Sequence, residues 1–409
     1  MKSFHLPGVA RRLAMLAPIL SLLLVPCITE AQTPSPSKPR ARDLGVHFDG
    51  TPGAFNAITD VAGVKVGHTT LIRGEGELRV GSGPVRTGVT VVLPRGESPD
   101  DPVFAGWFTL NGNGEMTGTT WVEESGFLEG PIAITNTHSV GVVRDAIIAW
   151  RVRTGKTLQP WSLPVVAETW DGWLNDINGF HVKPEHLFAA LESAASGPVA
   201  EGNVGGGTGM ICLGFKGGIG TASRKLASEA SGYTVGVLVQ TNFGGRNQLR
   251  IDGVPVGKEL APESPARSAS SQAELRPEGG SIIIVVATDA PLLPHQLKRL
   301  ARRASLGVAR VGGTSGNGSG DIFIAFSTAN PGAASATPTA ETRMLSNARI
   351  NPVFNATVEA TEEAIINALI AAETMVGRDN HRIEALPHDR LRQILRKYNR
   401  LEPAFLNGS

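Results

Sequence analysis

The chain has 409 residues, with 38 basic and 37 acidic side chains, a formal net charge of +1 and 41% hydrophobic residues. Near-neutral charge argues against a dedicated nucleic-acid binder, which carries a basic excess, and the hydrophobic content excludes a chiefly disordered chain. Two cysteines are too few for a disulfide framework or a Cys-rich zinc module, and 49 glycines with 27 prolines, in no Gly-X-Y period, specify a fold rich in turns.

The first element is a leader. Lys2, Arg11 and Arg12 precede an apolar run from Leu13 to Val25, interrupted by Pro18 and Ser21, and Thr29-Glu30-Ala31 ends in a small residue. This pattern predicts a signal peptide over residues 1–31, too short to span a bilayer, and hence a periplasmic or secreted protein. Pro26 stands where lipidation of Cys27 would want a small residue. Removal of the leader takes Cys27 with it and leaves Cys212, whose Met-Ile-Cys-Leu setting reads as a buried structural cysteine. Residues 32–40 form a Pro/Ser spacer expected to be disordered, followed by a single domain over 41–409.

The body alternates short β-branched runs with glycine-rich turns. Strands are expected at 89–93, 131–135, 233–239, 281–288 and 321–327, several of them buried on both faces because the apolar runs are continuous. Helices are expected at 142–153, 184–196, 294–305, 355–376 and 388–398. In the third, Leu297, Leu300 and Ala301 face inward, and Lys298, Arg299, Arg302 and Arg303 form a solvated face. Mixed strands and helices predict a layered α/β or α+β fold. Residues 259–280, ELAPESPARSASSQAELRPEGG, hold no aromatic or β-branched residue and read as an exposed, mobile linker. This linker runs through Gly279-Gly280 into Ser281 and the most strand-like segment of the chain.

Familiar catalytic signatures are missing. Gly155-Lys156-Thr157 resembles the end of a phosphate loop, but Trp150 occupies the place of its first glycine. Neither 205–209 nor 316–320 completes G-x-G-x-x-G, no serine sits in G-x-S-x-G, and His181, Glu185 and His186 have the wrong spacing for a zinc pair. No metal and no cofactor is therefore expected.

Five blocks are specific: Arg40-Ala41-Arg42-Asp43-Leu44-Gly45-Val46; Asn56 to Val64 with Val66-Gly67-His68-Thr69-Thr70; Ile134 to Gly141; Gly280 to Pro291; and Ser315-Gly316-Asn317-Gly318-Ser319-Gly320-Asp321. In these blocks and their order the chain resembles the DmpA/BapA-type family of L-aminopeptidase/D-esterases and β-peptidyl aminopeptidases, over essentially all of residues 40–400. The resemblance implies a four-layer αββα sandwich of N-terminal-nucleophile type. It implies self-cleavage at Gly280–Ser281 into chains 32–280 and 281–409, and an assembly of such αβ heterodimers, often a tetramer. The expected activity is removal of N-terminal residues from small peptides, amides or esters through an acyl-enzyme on Ser281. A preference for N-terminal β-amino acids, or acyl transfer of the ornithine acetyltransferase kind, are the alternatives.

Physical chemistry is compatible with this. A serine hydroxyl needs a base, and a freed α-amino group, with an ordinary pKa near 8, can serve as one. By the resemblance, Ser319 and Asp321 orient and tune Ser281, Asn242 is an oxyanion donor, and Glu168 binds the substrate's free amino group. Read without the resemblance, these positions are a glycine-rich turn, an Asn turn after a strand and a solvated acid. One position departs from the pattern. Trp170 stands where the related L-aminopeptidase places an oxyanion tyrosine, and an indole offers one N–H but no hydroxyl.

Overall fold

The computed structural model describes residues 38–96, 100–155, 159–230, 232–260 and 279–401. The expected leader and most of the expected linker lie outside the described residues. In chain order the first elements are β1 (Lys65–Arg73), β2 (Val85–Leu93), β3 (Val103–Gly112), α1 (Thr119–Ser125), β4 (Phe127–Leu128), β5 (Ile132–Asn136), α2 (Val140–Thr154), β6 (Val165–Thr169) and α3 (Pro184–Glu192). Then come β7 (Ile211–Cys212), β8 (Phe215–Lys216), β9 (Gly218–Lys225), β10 (Thr234–Asn242), α4 (Val256–Glu259), β11 (Gly279–Thr288) and α5 (Pro294–Arg310). The last are β12 (Gly318–Ser327), α6 (Asn351–Ile370), β13 (Met375–Val376), β14 (Arg382–Ile383) and α7 (His388–Lys397).

Two sheets dominate: a four-stranded one in the order β1-β2-β5-β6 and a six-stranded one in the order β4-β3-β12-β11-β10-β9. Each embeds one parallel pair, β5 with β6 and β11 with β12, among antiparallel neighbours. The alternation along β11 explains the layering. Ile283, Val285 and Ala287 pack between the sheets with Ile132, Ile134 and Ala167, while Ile282, Ile284 and Val286 pack outward with Leu297 and Leu300 of α5 and Ala364 and Leu369 of α6. A strand buried on both faces must be apolar throughout, and each such side chain contributes about 1.5–3 kcal/mol. On the far side, Val89, Val91, Ala133 and Val166 meet Val143 and Ile147 of α2 and Leu187 of α3. The result is the expected αββα sandwich. Among the described residues no helix is long and apolar enough to cross a membrane.

Several expected boundaries move, each for a tertiary reason. The helix beginning at Pro184 ends at Glu192, because Ala195 exchanges backbone hydrogen bonds with Val66 of β1. α5 continues to Arg310, with Gly307 seated against Thr361 of α6. α6 starts earlier, at Asn351, with Pro352 in its first turn, and stops at Ile370. Asn203 then grips the backbone of Glu373 through both its amide atoms, and Met375–Val376 becomes a short strand. The basic face of α5 is not simply solvated: Arg302 lies over the Phe108 ring at 5.1 Å and Arg303 over Phe354 at 4.0 Å, and Lys298 pairs with Glu123 at 2.6 Å. The expected spacer is also ordered at its end. Arg40 pairs with Glu201 at 2.7 Å and donates to the carbonyl of Thr221. Of the expected linker, Glu259 closes α4 and is held by Lys397 and Tyr398, while Gly279 and Gly280 already belong to β11.

Candidate active site

The centre of the six-stranded sheet places Ser281. In β11 it stands opposite Asn242 of antiparallel β10 and beside Gly320 of parallel β12, and Gly280 stands beside Ser319. Ser281 is 5% exposed, and its Oγ accepts the backbone N–H of Gly320 at 3.2 Å. Side-chain alternation puts Ser281 on the inter-sheet face with Ile283, and Ser319 and Asp321 on the helix-facing side with Phe323. This serine–acid couple therefore borders Ser281 from its main-chain side. Ser319 Oγ donates to Asp321 Oδ1 at 2.6 Å. Burial raises the Asp321 carboxyl above its ordinary range, against hydrogen bonds from Ser319, Ser315 and the backbone of Ile282.

Glu168 arrives from the other sheet, near the end of β6. It is buried, and both carboxylate oxygens are held by neutral donors: Thr137 Oγ1 donates to Oε2, and the N–H of Glu115 donates to Oε1 at 3.0 Å. Asn136 sets Thr137 in place by accepting the His138 N–H at the end of β5. Glycines let the two sheets meet here. A Cβ on Gly114 would lie 3.1 Å from Glu168 Oε1 and 3.1 Å from the Cα of Gly320, and one on Gly320 would lie 2.4 Å from the Asn113 carbonyl. Glu168 is thus one glycine away from the residue whose amide holds Ser281 Oγ. Burial raises its carboxyl above the ordinary range; Thr137 and the Glu115 amide oppose the rise, the Glu115 charge adds to it and His138 opposes it.

Asn242 is fixed at both ends of its amide. Nδ2 donates to the Trp170 carbonyl at 2.9 Å and Oδ1 accepts the Ile211 N–H at 2.9 Å, which leaves one N–H on the residue facing Ser281 in register. Trp170 contributes its carbonyl to this arrangement. Its indole, 42% exposed for the residue as a whole, folds over Gly172, where a Cβ would lie 2.6 Å from Cζ2. All six residues singled out in the sequence, Ser281, Ser319, Asp321, Asn242, Glu168 and Trp170, gather at one end of the sandwich, Trp170 through its carbonyl. Thr137, Glu115 and Ile211 escaped the sequence reading. Thr137 lay inside a recognised block, but the other two act through backbone N–H groups, which residue identity does not reveal. Among the described residues no group of three His, Cys, Asp or Glu side chains is placed to hold a metal ion. Cys212 is buried and unpaired, and burial pushes its thiol up to about 12.

The chain is similar to known proteins over most of its length. Residues 56–383 match the model of peptidase family S58. The chain is 59% identical over 373 residues to β-peptidyl aminopeptidase BapA of Sphingosinicella microcystinivorans, covering 90% of this chain and 94% of that one. Two solved structures superpose over 89% of this chain and all of their own. They are a Burkholderia sp. β-aminopeptidase (TM-score 0.80, 51% identity) and the L-aminopeptidase D-Ala-esterase/amidase of Ochrobactrum anthropi (TM-score 0.81, 50% identity). The latter is described as a prototype of the serine aminopeptidases and a variant of the N-terminal-nucleophile hydrolase fold. The chain belongs to peptidase family S58 and is a serine aminopeptidase of the N-terminal-nucleophile fold.

Proposed function

We propose that this aminopeptidase matures by cutting its own Gly280–Ser281 bond and then removes N-terminal β-amino acids from small peptides and amides through an acyl-enzyme on Ser281. The observation that carries the reading is the buried Glu168 carboxylate, held by neutral donors and one glycine from the residue that holds the Ser281 hydroxyl. An unneutralised buried carboxylate is costly, and a substrate ammonium supplies the missing cation. That requirement makes the enzyme an exopeptidase.

In maturation, Ser281 Oγ attacks the Gly280 carbonyl and the acyl group passes from nitrogen to oxygen, which frees the α-amino group of Ser281; water then hydrolyses the ester, releasing the Gly280 carboxylate and restoring the Ser281 hydroxyl. In turnover the same Oγ attacks the substrate carbonyl and the α-amino group takes its proton. Asn242 stabilises the oxyanion, the proton passes to the leaving amine, and water attacking the acyl-enzyme regenerates Ser281. Ser319 and Asp321, on the main-chain side, hold the α-ammonium that forms. The preference for β-amino acids rests on the 59% identity to a β-peptidyl aminopeptidase; hydrolysis of L-α-amino amides is supported by the Ochrobactrum enzyme at 50%. The basic and apolar pattern of residues 1–31 supports a periplasmic or secreted enzyme, and the family resemblance supports a homotetramer of αβ heterodimers.

Intact-mass measurement tests the core of this reading. Wild type is expected as two chains, the second beginning at Ser281. Ser281→Ala is expected as one uncut chain with activity reduced at least ~10⁴-fold. An active enzyme with residues 280 and 281 still joined would end the proposal. Paired α-amino and β-amino p-nitroanilides decide the substrate class.

A further inference from the structure

Asp171 has no part in the chemistry described above, yet it is completely buried immediately after the half-exposed Trp170. Its surroundings tie it to β2. Asp171 Oδ1 accepts from Asn175 Nδ2 at 3.0 Å, and Asn175 Oδ1 accepts the backbone N–H of Arg86 at 2.9 Å. The Thr87 hydroxyl, which accepts from Asn136 Nδ2 at 2.7 Å, neighbours the same Asp171 carboxyl, whose Oδ2 is buried without a hydrogen-bond partner. The Asp171 carbonyl closes the turn by accepting the N–H groups of Leu174 and Asn175, each at 3.1 Å. Gly209, two residues before Ile211, packs on both β2 and Asp171: a Cβ there would lie 2.3 Å from the Arg86 carbonyl of β2 and 2.8 Å from Asp171 Cβ. Asp171 therefore borders both β2 and the segment leading to Ile211.

Both groups that clamp the Asn242 amide border on this one side chain. The Trp170 carbonyl, which takes Nδ2, is the peptide group joined to the Asp171 nitrogen, and the Ile211 N–H, which holds Oδ1, follows the segment packed on Asp171 Cβ. We propose that Asp171 is a positioning residue for Asn242: it locks the turn that presents the Trp170 carbonyl, so that the remaining Asn242 N–H points at the carbonyl under attack by Ser281. This rests on the reading of Asn242 as oxyanion donor. It also links the two halves of the site, because Asn136 bonds Thr87 with one end of its amide and caps the turn carrying Thr137 with the other.

A double-mutant cycle tests the idea. kcat and KM are measured for wild type, Asp171→Ala, Asn242→Ala and the double variant, with kcat referred to the fraction of chains cut at Gly280–Ser281 by intact mass. Asn242→Ala is expected to lower kcat by ~10²–10³-fold, as for other oxyanion donors. Asp171→Ala is expected to lower kcat by roughly 30-fold with KM nearly unchanged, and to cost less than about threefold once Asn242 is gone. Asp171→Asn, which keeps an acceptor for Asn175, is expected to recover most of the loss. If Asp171→Ala does not fold, Asn175→Ala removes the same anchor from its other end and enters the same cycle. Undiminished loss in the Asn242→Ala background, or a loss confined to KM, overturns the role of Asp171. An unchanged kcat in Asn242→Ala alone would instead remove the oxyanion reading beneath it.

Discussion

Glu363 on α6 and Glu168 on β6 are both buried acids, and their surroundings treat them oppositely. Glu363 receives Arg42 through two nitrogens at 2.8 Å each, Arg224 at 2.8 Å and Asn56 at 2.6 Å. Burial pushes its carboxyl up, but the Arg42 hydrogen bonds and the charges of Arg224 and Arg42 outweigh that push, and it lies below its ordinary range. Glu168 has a hydroxyl and a backbone amide for partners, and it lies above its ordinary range. Full neutralisation marks the first cluster as structure: it fastens the Arg40–Asn56 segment to β9 and α6. Incomplete neutralisation leaves the second open to a cation, which on the proposed function is the substrate's ammonium. Asp321, beside Ser281, is of the second kind, held by neutral donors and raised by burial.

The comparison can be broken by removing each acid. Glu363→Ala strands Arg224, 1% exposed, without its buried partner, and is expected to destabilise the fold by about 3–5 kcal/mol in urea denaturation. Glu168→Ala is expected to leave stability unchanged or raised, because it removes a charge with no cation. If both variants lost stability alike, the distinction between clasp and site would fail.

Asp171 sharpens the point through pH. Burial, reinforced by the charge of Glu168, raises its carboxyl from 3.8 to about 7, against the neighbouring Thr87 hydroxyl and the hydrogen bond from Asn175. The folded chain then keeps a proton that the unfolded chain has lost. This contribution to stability is whole below about pH 4, drains as pH rises and is gone above about 7. Wild type should lose on the order of 4 kcal/mol more than Asp171→Asn between pH 4 and 8. Urea curves in the uncut Ser281→Ala background measure the difference, and parallel profiles would show that Asp171 does not titrate in this window. The Arg86 guanidinium is turned away, onto the carbonyls of Arg73, Gly74, Val85 and Val376, so no cation from β2 cancels the effect.

The smallest expected change concerns binding. Glu168→Gln keeps the shape and loses the charge, so KM for substrates with a free amino group should rise roughly a hundredfold, near 2.7 kcal/mol, with kcat less affected. Because burial holds Glu168 high, wild-type KM should climb as pH falls through that raised value, and the Gln variant should not follow it. An unchanged KM would remove Glu168 from the amine site.

Part of the molecule was legible in residue order alone. The run Ser281 to Thr288 is apolar at every core position, and only a strand covered on both faces satisfies that; the periodicity of 294–305 required a helix with one buried stripe. Ser281, Asn242, Ser319, Asp321 and Glu168 were singled out only by resemblance to a family, since each is also an ordinary turn or surface residue on local evidence. The ends of α3 and α6 were misplaced because Val66 and Asn203, remote in sequence, end those helices.

Local pattern and composition thus determined which segments become strands and helices and which faces they bury, because those preferences depend on neighbours within a few residues. Tertiary structure alone decided which buried charges are neutralised. Whether a carboxylate meets two guanidinium groups, as Glu363 does, or a hydroxyl and a peptide N–H, as Glu168 does, depends on chain segments up to hundreds of residues apart, and burial magnifies that difference.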